Sequence, residues 1–243
     1  MLTLLNIGNT HVGIAAVDDG GAFRSISAAD TESFDPAARL PRGGEVAVAS
    51  VVPELSRRIR EIRPDAFFLS AATCGGLIDF SRIDSSTVGA DRVANAIAAA
   101  GAHPLPAMVI DCGSAVTVEL IDASRRFLGG AIAPGRRLMR LALAAGTAQL
   151  PGVERLSLRP PVSPGRDTAS QIVCGVDRGA VGMVKELAEV LAAEFRPVSR
   201  LLTGGDAAFF APELPDFTPV PPDFTLRGLL AAARRHFDNP QTR

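Results

Sequence analysis

Residues 1–21 read MLTLLNIGNTHVGIAAVDDGG. An apolar run reaches Asn6, turns through Gly8, Asn9 and Thr10, and becomes apolar again. One such turn proves little, because hairpin turns favour Gly and Asn for conformational reasons alone. The pattern recurs one half-chain later, in AMVIDCGSAVTVELIDASRRFLGGAIAPG at 107–135. Placing Gly8 on Gly113 puts Asn6 on Asp111 and Asn9 on Ser114. In both copies a carboxamide or carboxylate stands two residues before a glycine, where a strand ends.

Working outward, residues 2–7, 12–17 and 22–27 alternate or run apolar between turn residues, and predict consecutive antiparallel strands. Residues 45–51 predict another strand. Pro53 suits a first helical turn, with Leu55, Ile59 and Ile62 on one face. A short strand at 65–70, a Gly/Ser/Asp loop and a helix from GADRVANAIAAAG follow. GAHPLP at 101–106 reads as a boundary. After the second copy come helices near 136–147 and 177–195, a strand at 199–203, a proline-rich stretch that cannot be regular helix, and a closing helix in LRGLLAAARRHF. Two copies of a three-strand unit, each continued by helices and strands, predict an α/β protein in two similar halves, 1–105 and 106–243, with the site between them.

Composition removes several alternatives. The chain has 243 residues, 47% of them hydrophobic, enough for a large core. Its formal net charge is -1, with no basic stripe of the kind a nucleic-acid binder carries. Three scattered cysteines and no apolar run of membrane-spanning length fit a soluble, cytoplasmic protein. Of the 25 basic residues only Lys185 is a lysine, and it does not follow a glycine-rich turn. A Walker A loop is therefore excluded. Phosphate chemistry here must use backbone N–H groups, hydroxyls, arginines and metal ions.

Paired glycine turns can supply those N–H groups, since a missing Cβ allows close approach to an anion. Thr10 and Ser114 add hydroxyls, and Asp111 is a hard oxygen ligand suited to a cation. In VGADRVANA, residues 88–96, Asp91 stands beside Arg92 at a helix start. It either complements the helix dipole or accepts a proton from a substrate hydroxyl. Arg92 can pair with a carboxylate or phosphate, or be an ordinary solvated helix residue. His11, His103 and His236 do not cluster. Cys112 alternates with Asp111 along a strand, which directs its thiol into the core.

Together, NIGNT (6–10), GADRVANA (89–96), DCGSAVT (111–117), GGAIAPG (129–135), LP (150–151), DTASQIVCGV (167–176) and TGGDA (203–207) resemble the ordered motifs of type III pantothenate kinases, in the actin-like ATPase and sugar kinase superfamily. The resemblance spans nearly the whole chain. It implies duplicated ribonuclease H-like domains with mixed five-stranded sheets and an interdomain cleft, a homodimer, and ATP-dependent phosphorylation of pantothenate to 4'-phosphopantothenate, the first step of coenzyme A synthesis. It implies ATP binding by Asn6, Gly8, Asn9, Thr10, His11 and Ser114, and proton acceptance by Asp91. Pantothenate would contact Gly89, Ala90, Arg92 and Thr168, the last often across a dimer. Asp111 would hold a monovalent cation, K+ or NH4+, and Mg2+ would accompany ATP.

The chain departs from the family at two points. Asn6 replaces the usual Asp, losing a charge that helps hold the metal–nucleotide complex, an interaction worth roughly 1–3 kcal/mol. The chain has no tyrosine, and Phe80 is the nearest aromatic upstream of GADR. Two further readings follow from these departures: a weakly active or non-catalytic nucleotide-binding homologue, and a kinase for another small alcohol.

Overall fold

The computed structural model describes residues 1–238. Strands β1 (Leu2–Ile7), β2 (His11–Val17) and β3 (Phe23–Asp30) form an antiparallel meander in which Asn6 pairs with Gly13 and His11 with Asp30. A short helix α1 (Pro36–Arg39) leads to β4 (Glu45–Ser50), which lies parallel to β1 with Ala49 opposite Asn6. Pro53 occupies the first turn of α2 (Pro53–Ile62), as its fixed φ and missing donor favour. Leu55 and Ile59 of that helix are buried, but Ile62 is exposed, because the helix ends at Arg63 before the stripe returns to the core. The expected strand at 65–70 shrinks to β5 (Phe67–Phe68), parallel to β4. A 3-10 turn at Ser85–Thr87 precedes α3 (Ala90–Ala102).

The second copy follows: β6 (Ala107–Cys112), β7 (Ala115–Ile121), β8 (Phe127–Pro134), α4 (Arg136–Gly146) and α5 (Thr168–Phe195). Then come β9 (Ser199–Thr203), parallel to β6, a one-turn α6 (Ala207–Phe210), a 3-10 turn at Ala211–Glu213, β10 (Thr218–Pro219) and α7 (Phe224–Phe237). The two sheets have the orders β3-β2-β1-β4-β5 and β8-β7-β6-β9-β10. Counted from the start of each copy, these orders are identical. The expected duplicated ribonuclease H-like α/β fold is therefore present, with two mixed five-stranded sheets.

One helix is longer than its periodicity predicts. α5 begins at Thr168, nine residues before the expected start at 177. The residues DTASQ carry no apolar stripe, but Asp167 and Ser170 form a reciprocal capping box that satisfies the first backbone donors.

Contact clustering divides the chain into two compact units. Among the described residues, the first holds Met1–Pro104, the hairpin tip Ile121–Leu128 and the chain from Asp223 to Asp238; the second holds Leu105–Leu120 and Gly129–Pro222. In the first, Leu5, Ile7, Val46 and Val48 pack with Leu55 and Ile59 of α2. Side chains alternate across a strand, so Asn6 points to the opposite face. There its Cβ and Leu226 of α7 both flank Gly13. α7 packs closely on α3, where a side chain at Gly228 would collide with the Ala94 carbonyl, and buried Thr225 donates to Asn95 Oδ1 at 2.8 Å. In the second unit, Met108, Ile110 and Cys112 pack against Ala180, Val181, Val184 and Ala188 of α5, so Asp111 faces away from that core. Asn6 and Asp111 are thus equivalent both in strand position and in sheet face. No helix among the described residues is long and apolar enough to cross a membrane.

Candidate active site

In the first unit, Gly8, Asn9 and Thr10 join β1 to β2. Gly8 N–H donates to the His11 carbonyl at 3.0 Å. Thr31, just past β3, holds the turn from outside: its hydroxyl donates to the Gly8 carbonyl at 2.7 Å and its N–H to the Thr10 carbonyl at 3.0 Å. His11 is exposed, with Nε2 3.6 Å from Asp30 Oδ1. Asn6 is half-buried, and its Oδ1 is buried without a hydrogen-bond partner among the described residues. A buried carbonyl oxygen in that state is costly unless something comes to it.

Asp91 occupies the second position of α3. A Cβ at Gly89 would lie 2.5 Å from Asp91 Oδ1 and 3.3 Å from Val51 Cγ1. Val51 in turn donates its N–H to the Ile7 carbonyl at 3.0 Å. The start of α3 therefore sits against the ends of β4 and β1, which puts Asp91 and Asn6 at one end and on one face of the sheet. Burial pushes the Asp91 carboxyl above the usual carboxylate range, opposed by the Arg92 N–H, which donates to Oδ1 at 2.8 Å, and by the Arg92 charge. Ala90 is buried in the same turn. The Arg92 guanidinium carbon lies 5.5 Å from the Phe127 ring centre, and Phe80, buried, stacks on Phe127 with centroids 5.2 Å apart. Phe80, Arg92 and Asp91 thus belong to one cluster of the first unit.

In the second unit the turn is shorter: Gly113 and Ser114 alone join β6 to β7, with Gly113 N–H donating to the Ala115 carbonyl at 3.0 Å. Two further glycines press on it. Gly135, before α4, donates to the Ser114 carbonyl at 3.0 Å, and a side chain there would run into the Gly113 and Ser114 carbonyls. Gly204 has φ +95°, a conformation suited to glycine, and a Cβ there would lie 2.5 Å from both Asp111 Oδ1 and the Cys112 carbonyl. Asp206 N–H closes the arrangement on the Cys112 carbonyl at 2.9 Å. Cys112 is buried, and burial, followed by the Asp111 and Asp206 charges, drives its thiol far above its usual range, so it is no nucleophile. Thr168, exposed at the first turn of α5, stands apart from this cluster of glycines.

Four residues that sequence reasoning did not single out also lie in this unit: Arg136, Arg140 and Asp177, all buried, and Asp206, next to the Gly204 turn. The available signal was that inward positions of α4 carry arginine instead of an apolar residue.

The sequence profile described as type III pantothenate kinase matches residues 2–190. The type III pantothenate kinase 1 of Francisella tularensis subsp. tularensis (strain FSC 198) is 33% identical over 254 aligned residues, covering 96% of each chain. Among solved structures, a Baf family protein from Campylobacter jejuni superposes with TM-score 0.60 at 18% identity, covering 98% of this chain and 100% of its own. The activator of the 2-hydroxyisocaproyl-CoA dehydratase from Clostridium difficile, with bound ADPNP, superposes with TM-score 0.53 at 17% identity, covering 98% and 94%.

Proposed function

The chain belongs to the type III pantothenate kinase family, and from that premise we propose the roles of its residues in phosphorylating pantothenate with ATP, the entry to coenzyme A synthesis. The observation that carries the reading is Asp91: a half-buried carboxylate with raised proton affinity, fixed at a helix start at the sheet end that also bears Asn6 and the Gly8 turn. A general base works best when its affinity for protons is lifted toward the working pH. Asp91 accepts the proton of the primary hydroxyl. The oxygen attacks the γ-phosphorus in line, forming the new P–O bond as the bond to the ADP oxygen breaks. Arg92 offers a planar, permanently charged fork to the pantothenate carboxylate. Gly89, Ala90, Phe80 and Thr168 complete the acceptor contacts.

The nucleotide is assigned to the two turns. Gly8, Asn9, Thr10 and His11 of the first unit and Ser114 of the second are each assigned to the phosphates, for which they offer N–H groups, hydroxyls and an imidazole. Mg2+ accompanies ATP in this reading and offsets phosphate charge. The buried, unpartnered Oδ1 of Asn6 is a fitting neutral oxygen for it or its water shell. Asp111 is assigned a monovalent cation, K+ or NH4+. Its carboxylate and the Cys112 carbonyl border a space that a side chain at position 204 would fill. Among the described residues no three acidic, His or Cys side chains gather as a metal cage, which suits an ion shared with substrate phosphates better than a resident structural metal.

We further assign the protein to the cytoplasm, as a homodimer. Support for the latter is α4, whose Leu138 and Leu141 are 49% and 51% exposed. The readings as an inactive homologue or as a kinase for another alcohol are not favoured by relatives that match over nearly the whole chain. The test is ADP release from ATP, Mg2+, a potassium salt and pantothenate. Turnover that depends on pantothenate and vanishes in Asp91→Asn is the expected result. Turnover that survives the substitution refutes the assignment of the base.

A further inference from the structure

Arg136 and Arg140, one turn apart on α4, share one buried counter-ion. Asp177 Oδ1 of α5 accepts from Arg140 Nη2 at 2.6 Å and lies 3.4 Å from Arg136 Nη1. Arg136 also grips Asp206 with two hydrogen bonds, of 3.1 and 2.8 Å, and its guanidinium lies flat over Phe209, 3.4 Å from the ring centre. The Nη1 atom of each arginine also goes to the backbone of one segment. Arg140 Nη1 reaches the Arg155 carbonyl at 2.7 Å and Arg136 Nη1 the Ser157 carbonyl at 3.0 Å. From α5, Arg178 Nε reaches the Pro161 carbonyl at 2.6 Å.

Residues 153–161 contain neither helix nor strand. Three arginines hold their carbonyls, while Leu158 and Val162 stand 90% and 93% exposed. The segment is a strap tied by its backbone. Its far end is tied too: a side chain at Gly165 would strike the backbone of Ser170 and Gln171, and Arg166 N–H donates to Ser170 Oγ at 3.0 Å. Thr168 lies inside that knot.

The cluster is a poor source of stability. Asp177 Oδ2 and Arg140 Nε are buried without hydrogen-bond partners among the described residues. Buried ion pairs can often be exchanged for apolar side chains of similar volume with no loss. Its effect on geometry is different. Arg136 follows Gly135, which rests on Ser114, and Asp206 lies two residues after Gly204, which rests on Asp111.

We propose that the Arg136–Asp206–Asp177–Arg140 cluster is a positioning device, holding the 153–161 strap and with it Thr168 in fixed register with the Ser114 and Gly204 turns. Arg136 and Arg140 are positioning residues that touch neither substrate. The proposal rests on the assignment of Ser114 to ATP and Thr168 to pantothenate.

The test is the double variant Arg140→Met/Asp177→Leu, which removes both charges and strands neither. Its melting temperature is expected to equal or exceed that of the parent. Deuterium uptake across 153–166 is expected to rise, and KM for pantothenate to rise roughly tenfold, the scale of one lost hydrogen bond to a charged group, with kcat within about twofold. Arg178→Ala, at the surface, should move uptake and KM the same way by less. Unchanged uptake or unchanged KM overturns the proposal. So does a double variant that melts well below the parent, which would make the cluster a source of stability instead. A parent protein that releases no ADP with pantothenate counts against the functional assignment, while deuterium uptake still reads the strap.

Discussion

The turn after β1 has three residues and is latched from outside by Thr31; the turn after β6 has two and is squeezed between Gly135 and Gly204. Both stand at the same point of the same strand order. The difference lies in what fixes them. The first keeps its shape through hydrogen bonds from the Thr31 hydroxyl and N–H, and a Cβ at Gly8 would come no nearer than 3.3 Å to the His11 carbonyl. The second keeps its shape because three stretches of backbone approach too closely for any side chain. One turn has room to adjust, and the other is fixed by close packing. Duplication has preserved topology while the means of holding the turn diverged.

The largest expected effect concerns the residue that has no counterpart in the second copy. Asp91→Asn should lower kcat by about 10²–10⁴-fold, the range for a lost general base. Stability should move the other way. Burial raises the proton affinity of Asp91 above that of a free aspartate, the value that holds in the unfolded chain. Its stabilising contribution is therefore full below that value and is lost as pH rises through the raised one. At neutral pH the Asn variant should melt at the parent temperature or above it, as calorimetry would show. For the same reason the acid limb of the parent's kcat profile should lie above the ordinary aspartate range, since the ionised carboxylate does the work. An acid limb near pH 4 or below would sink that assignment.

Next come the turns themselves. Gly204→Ala combines positive φ with a collision against Asp111 and Cys112, and should destabilise by about 2–4 kcal/mol in denaturant titration. Gly8→Ala should stay within about 1 kcal/mol. Equal losses at both positions would erase the distinction between latched and squeezed turns.

A smaller effect is expected from making the copies more alike. Asn6→Asp gives the first copy a carboxylate at the strand position where the second has Asp111, and should lower the Mg2+ or ATP concentration needed for half-maximal rate by about tenfold. An unchanged or higher requirement would remove Asn6 from the metal–nucleotide complex. The smallest change is Thr31→Val, which deletes the 2.7 Å latch to Gly8. It should cost about 1 kcal/mol and raise KM for ATP without altering KM for pantothenate.

Strands β1, β2, β6 and β7 were legible because period-two apolar patterns stop at glycine turns, and the repeat made the fold legible in turn. The closing helix was visible in LRGLLAAARRHF, but its pairing with α3 was not. That depends on Gly228 meeting Ala94 across 134 residues of sequence, and nothing local encodes it. The start of α5 was hidden because a capping box of Asp167 and Ser170 opens it ahead of its apolar stripe. The arginine cluster was hidden for a related reason: an arginine at an inward helical position reads as surface until its partners, Asp177 and Asp206, come from distant segments. Asp91 was readable as one of two alternatives, dipole or base; its burial, which supports the second, depends on packing that the local sequence does not encode.

α7 returns to the first sheet to cover α3, the helix that presents Asp91. On a ribosome, the first hundred residues emerge long before that cover exists. The apolar flank of α3, with Ala94 and Asn95 in it, must wait until residues 224–237 are made. The helix that carries Asp91 is thus complete well before it is enclosed, and a chain shortened by those final turns leaves its Ala94–Asn95 flank uncovered.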